Sequence, residues 1–258
     1  EYLGWLEGVA AEKSRIFRHL SPEGVAVIPL QAPGFDIMKQ AAGNHTVLCY
    51  GKGANSVMEA VYRSGNITGS SFELIDHRTG ESVVVNWGLS GKHQAANAAG
   101  AAAVATAFGI PMREIAEGLA GCVLPGMRMK ITRHGDAQWI NDAYNANLDS
   151  MHATLEWLGE FADPAKLLLV LGDMREVGET SGDVHREVLE QALRTFPGAR
   201  IAAVGPEMTR AAEELNEPRI QTFPDSATAA ERVRQMVRPG DLVFLKASRG
   251  TRLERTEP

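Results

Sequence analysis

The chain is expected to be an α/β protein of two domains, and three observations predict this. From Met127 onward, short apolar runs alternate with segments of helical spacing. Repeated βα units of that kind imply a mainly parallel, Rossmann-like sheet covered by helices. Before that point the rhythm differs, with several strand-like segments followed by a long alanine-rich helix. Between the two, Pro125 and Gly126 break the pattern, so residues 1–124 are read as one domain and 125–258 as the next.

Residues 5–20 read as a helix, with Leu6, Val9, Ala10, Lys13, Ile16, Phe17 and Leu20 at roughly helical spacing. Ser21-Pro22-Glu23-Gly24 ends it. Residues 25–30 form a short buried strand, Ala32-Pro33-Gly34 a turn and residues 36–42 a helix. Residues 46–50 are a second strand, closed by Gly51-Lys52-Gly53. The segment up to about Leu89 is strand-like. Residues 71–76 alternate, His77-Arg78-Thr79-Gly80 turns and residues 81–86 return, which is a hairpin signal. The alanine-rich helix covers residues 93–108 and is stopped by Gly109 and Pro111, and a further helix covers 112–120. In the second domain, strands are expected at 129–134, 138–141, 166–171, 200–204, 220–222 and 242–245. Helices are expected at 150–161, 182–195, 207–216 and 226–237.

Composition narrows the function classes. The chain is 44% hydrophobic and 22% charged, as ordinary globular proteins are. A net charge of −6 and a pI near 5.7 argue against non-specific nucleic-acid binding, which needs a basic face, while leaving room for a local phosphate pocket. Cys49 and Cys122 lack metal-ligand spacing, so both are expected to be buried apolar side chains in a reduced, cytoplasmic compartment. No apolar run of ~18 residues and no signal peptide stand out, so no membrane insertion is expected. A monomer is expected.

Chemistry concentrates in Trp139-Ile140-Asn141-Asp142-Ala143-Tyr144-Asn145-Ala146-Asn147-Leu148-Asp149-Ser150-Met151. A loop dense in carboxylate and amide groups sits where a strand hands over to a helix. Ligands of open α/β sheets bind at the carboxyl ends of strands, and helix N-termini favour anions. On the residues alone, Asp and Asn also suit caps and turns, with Asp149 or Ser150 available to cap the helix.

This loop resembles the Asp-Ala-Tyr-Asn-Ala-Asn-Pro-Asp-Ser signature of the Mur ligases, departing once, with Leu148 where the family has proline. The resemblance is strongest to the branch that adds D-alanyl-D-alanine to UDP-N-acetylmuramoyl-tripeptide. It implies the C-terminal portion of a central ATP-binding domain followed by a Rossmann-like, dipeptide-binding C-terminal ligase domain. It further implies that Asp142 holds the ATP ribose, with Asn145 near the nucleotide and Asn147 near the incoming amine. Gly91-Lys92-His93-Gln94-Ala95-Ala96-Asn97 resembles the family's Gly-Arg/Lys-His-Asn/Gln helix start, which assigns His93 and Asn97 to the nucleotide. Gln94 and Asn97 share a helix face, and amides suit an adenine edge. Pro125-Gly126-Met127-Arg128 resembles a junction motif whose arginine reaches the nucleotide, a role that suits the always-charged, forked guanidinium of Arg128.

Leu6 to Ile16 resembles the family's Leu-Glu-Gly-Ile-Ala-x-Ala-Lys-x-Glu-Ile helix, and its lysine matches Lys13. By resemblance Lys13 is the catalytic position and, if carbamylated, a ligand of Mg²⁺, which prefers hard oxygen donors. Leu171-Gly172-Asp173-Met174-Arg175-Glu176-Val177-Gly178 resembles Leu-Gly-Asp-Met-x-Glu-Leu-Gly, giving Asp173, and with it His185, a place in the substrate region. Lys246-Ala247-Ser248-Arg249-Gly250 resembles Lys-Gly-Ser-Arg-Gly, so Lys246, Ser248 and Arg249 are expected to meet the dipeptide carboxylate, which Arg binds in bidentate fashion. On the residues alone, each of these positions also fits a surface charge, a cap or a loop.

The sequence contains no Gly-x-x-Gly-Lys-Thr/Ser P-loop. In the family that loop lies upstream of the helix matched by Lys13, as do an Mg²⁺-binding glutamate and histidine and the UDP-binding domain. The 258 residues by themselves are therefore expected to be an inactive fragment of an ATP-dependent amide ligase that works through an acyl phosphate. Two alternatives stay open. One is a related ligase adding meso-diaminopimelate, lysine or glutamate. The other is a non-catalytic nucleotide- or peptide-binding module.

Overall fold

The computed structural model describes residues 6–124 and 126–258. The start of the first expected helix at Trp5, and Pro125 of the junction motif, lie outside the described residues. The chain divides into two compact units, Glu1–Val123 and Leu124–Pro258.

In the first unit the elements run α1 (Leu6–Ser14), β1 (Val25–Pro29), α2 (Phe35–Ala41), β2 (Thr46–Tyr50), β3 (Met58–Asn66), β4 (Gly69–Asp76), β5 (Glu81–Trp87), α3 (Lys92–Ala107) and α4 (Met112–Ala120). The expected first helix is shorter than its periodicity suggested. After Ser14, whose hydroxyl turns back to the Ala11 carbonyl, the chain tightens into a 3₁₀ turn over Arg15–His19. The strands form one sheet in the order β1-β2-β3-β4-β5. It is parallel from β1 to the start of β3 and antiparallel beyond. β4 alternates buried and half-buried residues along its whole length, as a strand with one face on a core must. That core is Phe72, Leu74, Met58, Val85 and Trp87 packed on the Ala95, Ala98, Ala99, Ala102 and Ala103 stripe of α3. Methyl side chains at i, i+3 and i+4 let α3 lie close to the sheet. Trp87 stacks edge-on to Phe72 at 5.0 Å and donates its indole N–H to the Ser70 hydroxyl.

In the second unit the elements run β6 (Lys130–His134), β7 (Ala137–Asn141), α5 (Leu148–Gly159), β8 (Leu167–Gly172), α6 (Ser181–Thr195), β9 (Arg200–Val204), α7 (Pro206–Leu215), β10 (Ile220–Phe223), α8 (Ser226–Met236) and β11 (Leu242–Lys246). The sheet order is β10-β9-β8-β11-β7-β6. Every pair is parallel except the β6–β7 hairpin. The expected Rossmann-like sheet is thus present, and every residue of β8 is buried, as a central parallel strand covered on both faces requires. From β8 the chain steps outward to β10, then returns to insert β11 between β8 and β7. The carboxyl ends of β7, β8 and β11 therefore lie side by side at the point where the strand order reverses.

Two expectations are corrected. Cys49 is half-buried and Cys122 exposed, because Cys122 falls in the turn after α4 instead of on a packed face. Helix α5 starts at Leu148, and its cap is Asn147, not Asp149 or Ser150. Among the described residues no helix is long and apolar enough to cross a membrane.

Candidate functional site

The loop leaving β7 is organised by a residue the sequence reading left unassigned. Asn141 is fully buried, and its Oδ1 accepts the Ala143 amide at 3.0 Å, closing a local turn. Its Nδ2 donates to Glu257 at 2.7 Å. A buried amide at the end of an apolar strand is the signal that could have identified it. Asp142 follows, its Oδ1 accepting the Met129 amide and its Oδ2 the ammonium of Lys246 at 2.5 Å. Lys246, only 3% exposed, also donates to the Asn145 carbonyl. The two residues to which the resemblance gave separate ligands therefore meet in one ion pair, and a buried ammonium needs such a counter-charge. Asp142 retains free lone pairs, since a carboxylate can accept about four hydrogen bonds.

Asn147 is exposed and caps α5 reciprocally. Its Oδ1 accepts the Ser150 amide at 2.9 Å, while the Ser150 hydroxyl accepts the Asn147 amide at 3.1 Å. Leu148 is then the first helical residue, where proline is favoured because the N–H has no intrahelical partner and φ is already helical. Leucine at this position keeps every hydrogen bond of the helix and gives up only the locked φ. Tyr144 is 45% exposed, and the guanidinium of Arg128 lies over its ring at 4.2 Å.

After β8, Asp173 turns inward. Its Oδ1 accepts the Met208 amide at 2.9 Å and so caps α7, whose own cap position is Gly205. Gly205 has φ +112, and a β-carbon there would lie 2.5 Å from the Asp173 carboxyl group. Burial pushes the Asp173 carboxyl above its ordinary pKa, and the Met208 amide that donates to it only partly offsets this. His185 is fully buried, and its Nε2 accepts the Met174 amide. Nδ1 therefore carries the proton and donates to the Ser181 carbonyl at 2.6 Å. Both ring nitrogens are engaged inside the fold, so the substrate contact expected of His185 is replaced by anchoring the Asp173 loop to α6.

After β11, Ser248 ties the three loops together. Its amide donates to the Asp173 carbonyl, its hydroxyl donates to the Ala146 carbonyl, and its Oγ accepts the Arg175 amide at 2.9 Å. Arg249 is exposed and pairs with Glu254 at 2.6 Å. Asp142, Asn145, Asn147, Asp173, Lys246, Ser248 and Arg249 thus all lie on the loops at the carboxyl edge of this sheet.

In the first unit, Lys13 is exposed in the last turn of α1. Among the described residues no group of three or more His, Cys, Asp or Glu could hold a metal ion. These residues do not form a complete Mg²⁺ site, and a carbamylated Lys13 would supply one oxygen ligand to it. Helix α3 begins at Lys92, after a cap residue, Gly91, with φ 98 and no side-chain cap on the first helical amides. His93 is half-buried and Asn97 exposed. Asn97 donates to Gln94 at 3.3 Å, so the two amides share one face as the spacing required. A donor–acceptor pair beside uncapped helix amides suits a nucleotide.

Residues 1–105 match the Mur ligase middle domain, and residues 127–249 match the Mur ligase, glutamate ligase domain. The UDP-N-acetylmuramoyl-tripeptide–D-alanyl-D-alanine ligase of Bacillus subtilis is 29% identical over 98% of this chain and 54% of its own length. The enzyme of the same name from Treponema pallidum is 30% identical over 99% of this chain and 54% of its own length. Among solved structures, MurF from Acinetobacter baumannii superposes with a TM-score of 0.85 at 28% identity, covering 98% of this chain and 55% of that one. MurF ligase from Thermotoga maritima, solved in complex with ADP, has the same fold at a TM-score of 0.80 and 24% identity, covering 99% of this chain and 57% of that one. The chain spans about half the length of the curated relatives it matches.

Proposed function

Because the chain belongs to the Mur ligase family, we propose that it serves an ATP-dependent amide ligase of peptidoglycan-precursor synthesis in the cytoplasm. The reaction joins D-alanyl-D-alanine to UDP-N-acetylmuramoyl-tripeptide. The tripeptide carboxylate takes the γ-phosphoryl group of ATP as ADP leaves, the dipeptide amine attacks the acyl carbon and gives up a proton, and the tetrahedral intermediate expels phosphate as the amide forms. The observation that carries this reading is the joining of three loops at the carboxyl edge of the second sheet by Lys246 and Ser248.

Phosphoryl transfer depends mostly on positioning and charge stabilisation, and each residue has a part in that. Asp142, oriented by Lys246 and the Met129 amide, accepts ribose hydroxyls. Arg128, whose guanidinium lies over the Tyr144 ring, offers its donors to the nucleotide. Gln94 and Asn97 meet the adenine edge, with His93 beside them. Asn145 and Asn147 border the nucleotide and amine regions, and Asp173 and Ser248 shape the dipeptide region as positioning residues. A carbamylated Lys13 would contribute one oxygen to Mg²⁺, which offsets phosphate charge when bound.

The test is calorimetric titration of the chain with ADP and, separately, with D-alanyl-D-alanine. Both are expected to bind, and Asp142→Asn is expected to weaken ADP at least about tenfold, through the lost charge-assisted hydrogen bond and the broken Lys246 pair that orients the loop. Binding of neither ligand overturns the reading.

A further inference from the structure

The side chains that the family motif offers to a dipeptide carboxylate are already engaged by the protein. Lys246 is buried against Asp142, the Ser248 hydroxyl serves two backbone partners, and Arg249 is paired with Glu254. One guanidinium on the same loops is not. Arg175 follows β8 in a position the family pattern leaves unspecified, is exposed, and has no carboxylate partner among the described residues.

Arg175 is nevertheless held in place. Its amide is anchored on Ser248 at 2.9 Å. Its guanidinium lies against the backbone of Gly250, where an added β-carbon would be 2.2 Å from Cζ and 2.3 Å from Nη1. Gly250 has an ordinary φ, and a side chain there would meet only the guanidinium end of Arg175, which would have to move aside. The next residue, Glu176, has φ +64, a costly turn for a non-glycine residue that sets the direction of the loop. Arg252, also exposed after β11, has no carboxylate partner among the described residues either, but no glycine faces its guanidinium there. A seated, planar, unpaired guanidinium gives up little freedom on binding and matches a carboxylate with two parallel N–H donors.

We propose that Arg175, seated on Gly250, is the residue that binds the C-terminal carboxylate of the incoming dipeptide. This inference rests on the ligase reading above. It makes the free α-carboxylate a specificity element, so a dipeptide with that group blocked is a poor ligand.

The experiment compares D-alanyl-D-alanine, its C-terminal amide and ADP as ligands of the wild-type chain, Arg175→Gln and Gly250→Ala. The wild type should bind the acid about ten- to hundredfold more tightly than the amide, the range for charge-assisted pairs. Arg175→Gln should bring the acid down to the level of the amide and leave ADP unchanged. Gly250→Ala should do the same without touching the guanidinium chemically, because its methyl group takes the space against the Gly250 backbone that the guanidinium occupies. Arg175→Lys, which keeps the charge but not the fork, should fall between. Circular dichroism melts matching the wild type would exclude unfolding as the cause. An acid-to-amide ratio unaltered in Arg175→Gln overturns the assignment while leaving the ligase reading intact. Loss of ADP binding in Arg175→Gln also overturns it, since the anion held is then a phosphate. Absence of any dipeptide binding by the wild type removes the ligase reading, and this inference falls with it.

Discussion

Two aspartates, one in each unit, are both shielded from solvent and titrate in opposite directions. Asp76, at the end of β4, is 3% exposed, and Asp173, after β8, is 9% exposed. Arg78 grips Asp76 through Nε, Nη2 and its own amide, and this holds the carboxyl below its ordinary pKa. Asp173 faces chiefly backbone amides, and burial wins, holding its carboxyl above the ordinary value. Two differences act together: Asp173 lies deeper among protein atoms, and only Asp76 has a full opposite charge hydrogen-bonded to it. The difference also separates two uses of a buried acid. Asp76 closes a hairpin turn with its neighbour, whereas Asp173 positions a helix start and a loop beside the candidate site.

The largest test of this contrast changes a paired acid of the second unit into a lone one. Lys246→Met leaves Asp142 without its counter-charge and should cost roughly 3–5 kcal/mol, read as a lower urea midpoint. Adding Asp142→Leu should recover most of that loss, since removing both charges is far cheaper than removing one. A loss under about 1 kcal/mol for Lys246→Met would mean that the pair is too well solvated to organise the loop.

A smaller effect is expected from Arg78→Met, which gives Asp76 the surroundings of Asp173. About 1.5–3 kcal/mol should be lost at neutral pH, the range for hydrogen bonds to charged groups. In the wild type the depressed Asp76 pKa contributes stability that is present above its unfolded value of 3.8 and lost as pH falls through the folded value. In the variant that acid-side loss should vanish, and carboxyl NMR should show the Asp76 pKa moving upward.

The smallest effect belongs to Asp173→Asn, which keeps an acceptor for the Met208 amide and removes the charge. Because the folded Asp173 pKa is raised, the folded wild type binds the proton more tightly than the unfolded chain does. Stability is lost as pH rises from about 3.8 through the folded value. The variant should match the wild type near pH 3 and exceed it by about 0.5–1 kcal/mol near neutrality, the usual net size of one such interaction. Melting curves across that range decide it, and a variant less stable than the wild type at pH 7 would show that the charge strengthens the α7 cap by more than its burial costs.

Much of the fold was legible in advance. Turn residues and apolar runs located the β4–β5 hairpin, α3, α4 and all six strands of the second sheet to within a residue or two. Such signals are local, so periodicity carries them. The 3₁₀ turn after Ser14 and the α5 cap were not legible, because both depend on which of several competent polar side chains takes a given backbone group. The candidate site was legible as a set of motif residues, but their partners were not. Asp142, Lys246 and Ser248 appeared as separate contacts to ligand, and Arg175 did not stand out at all, since nothing in its neighbourhood of sequence marks it as an unpaired cation beside Gly250.

By itself, then, the sequence determined the strand–helix alternation, the two-unit organisation it suggested, and the loops that must lie at strand ends, because spacing and turn chemistry act over a few residues. Only the tertiary structure decided that Lys246 reaches back 104 residues to Asp142, that Ser248 joins loops 73 and 102 residues away, and that Gly250 leaves room for Arg175. Charge pairing and close packing depend on distance through space, and that distance leaves no trace in local periodicity.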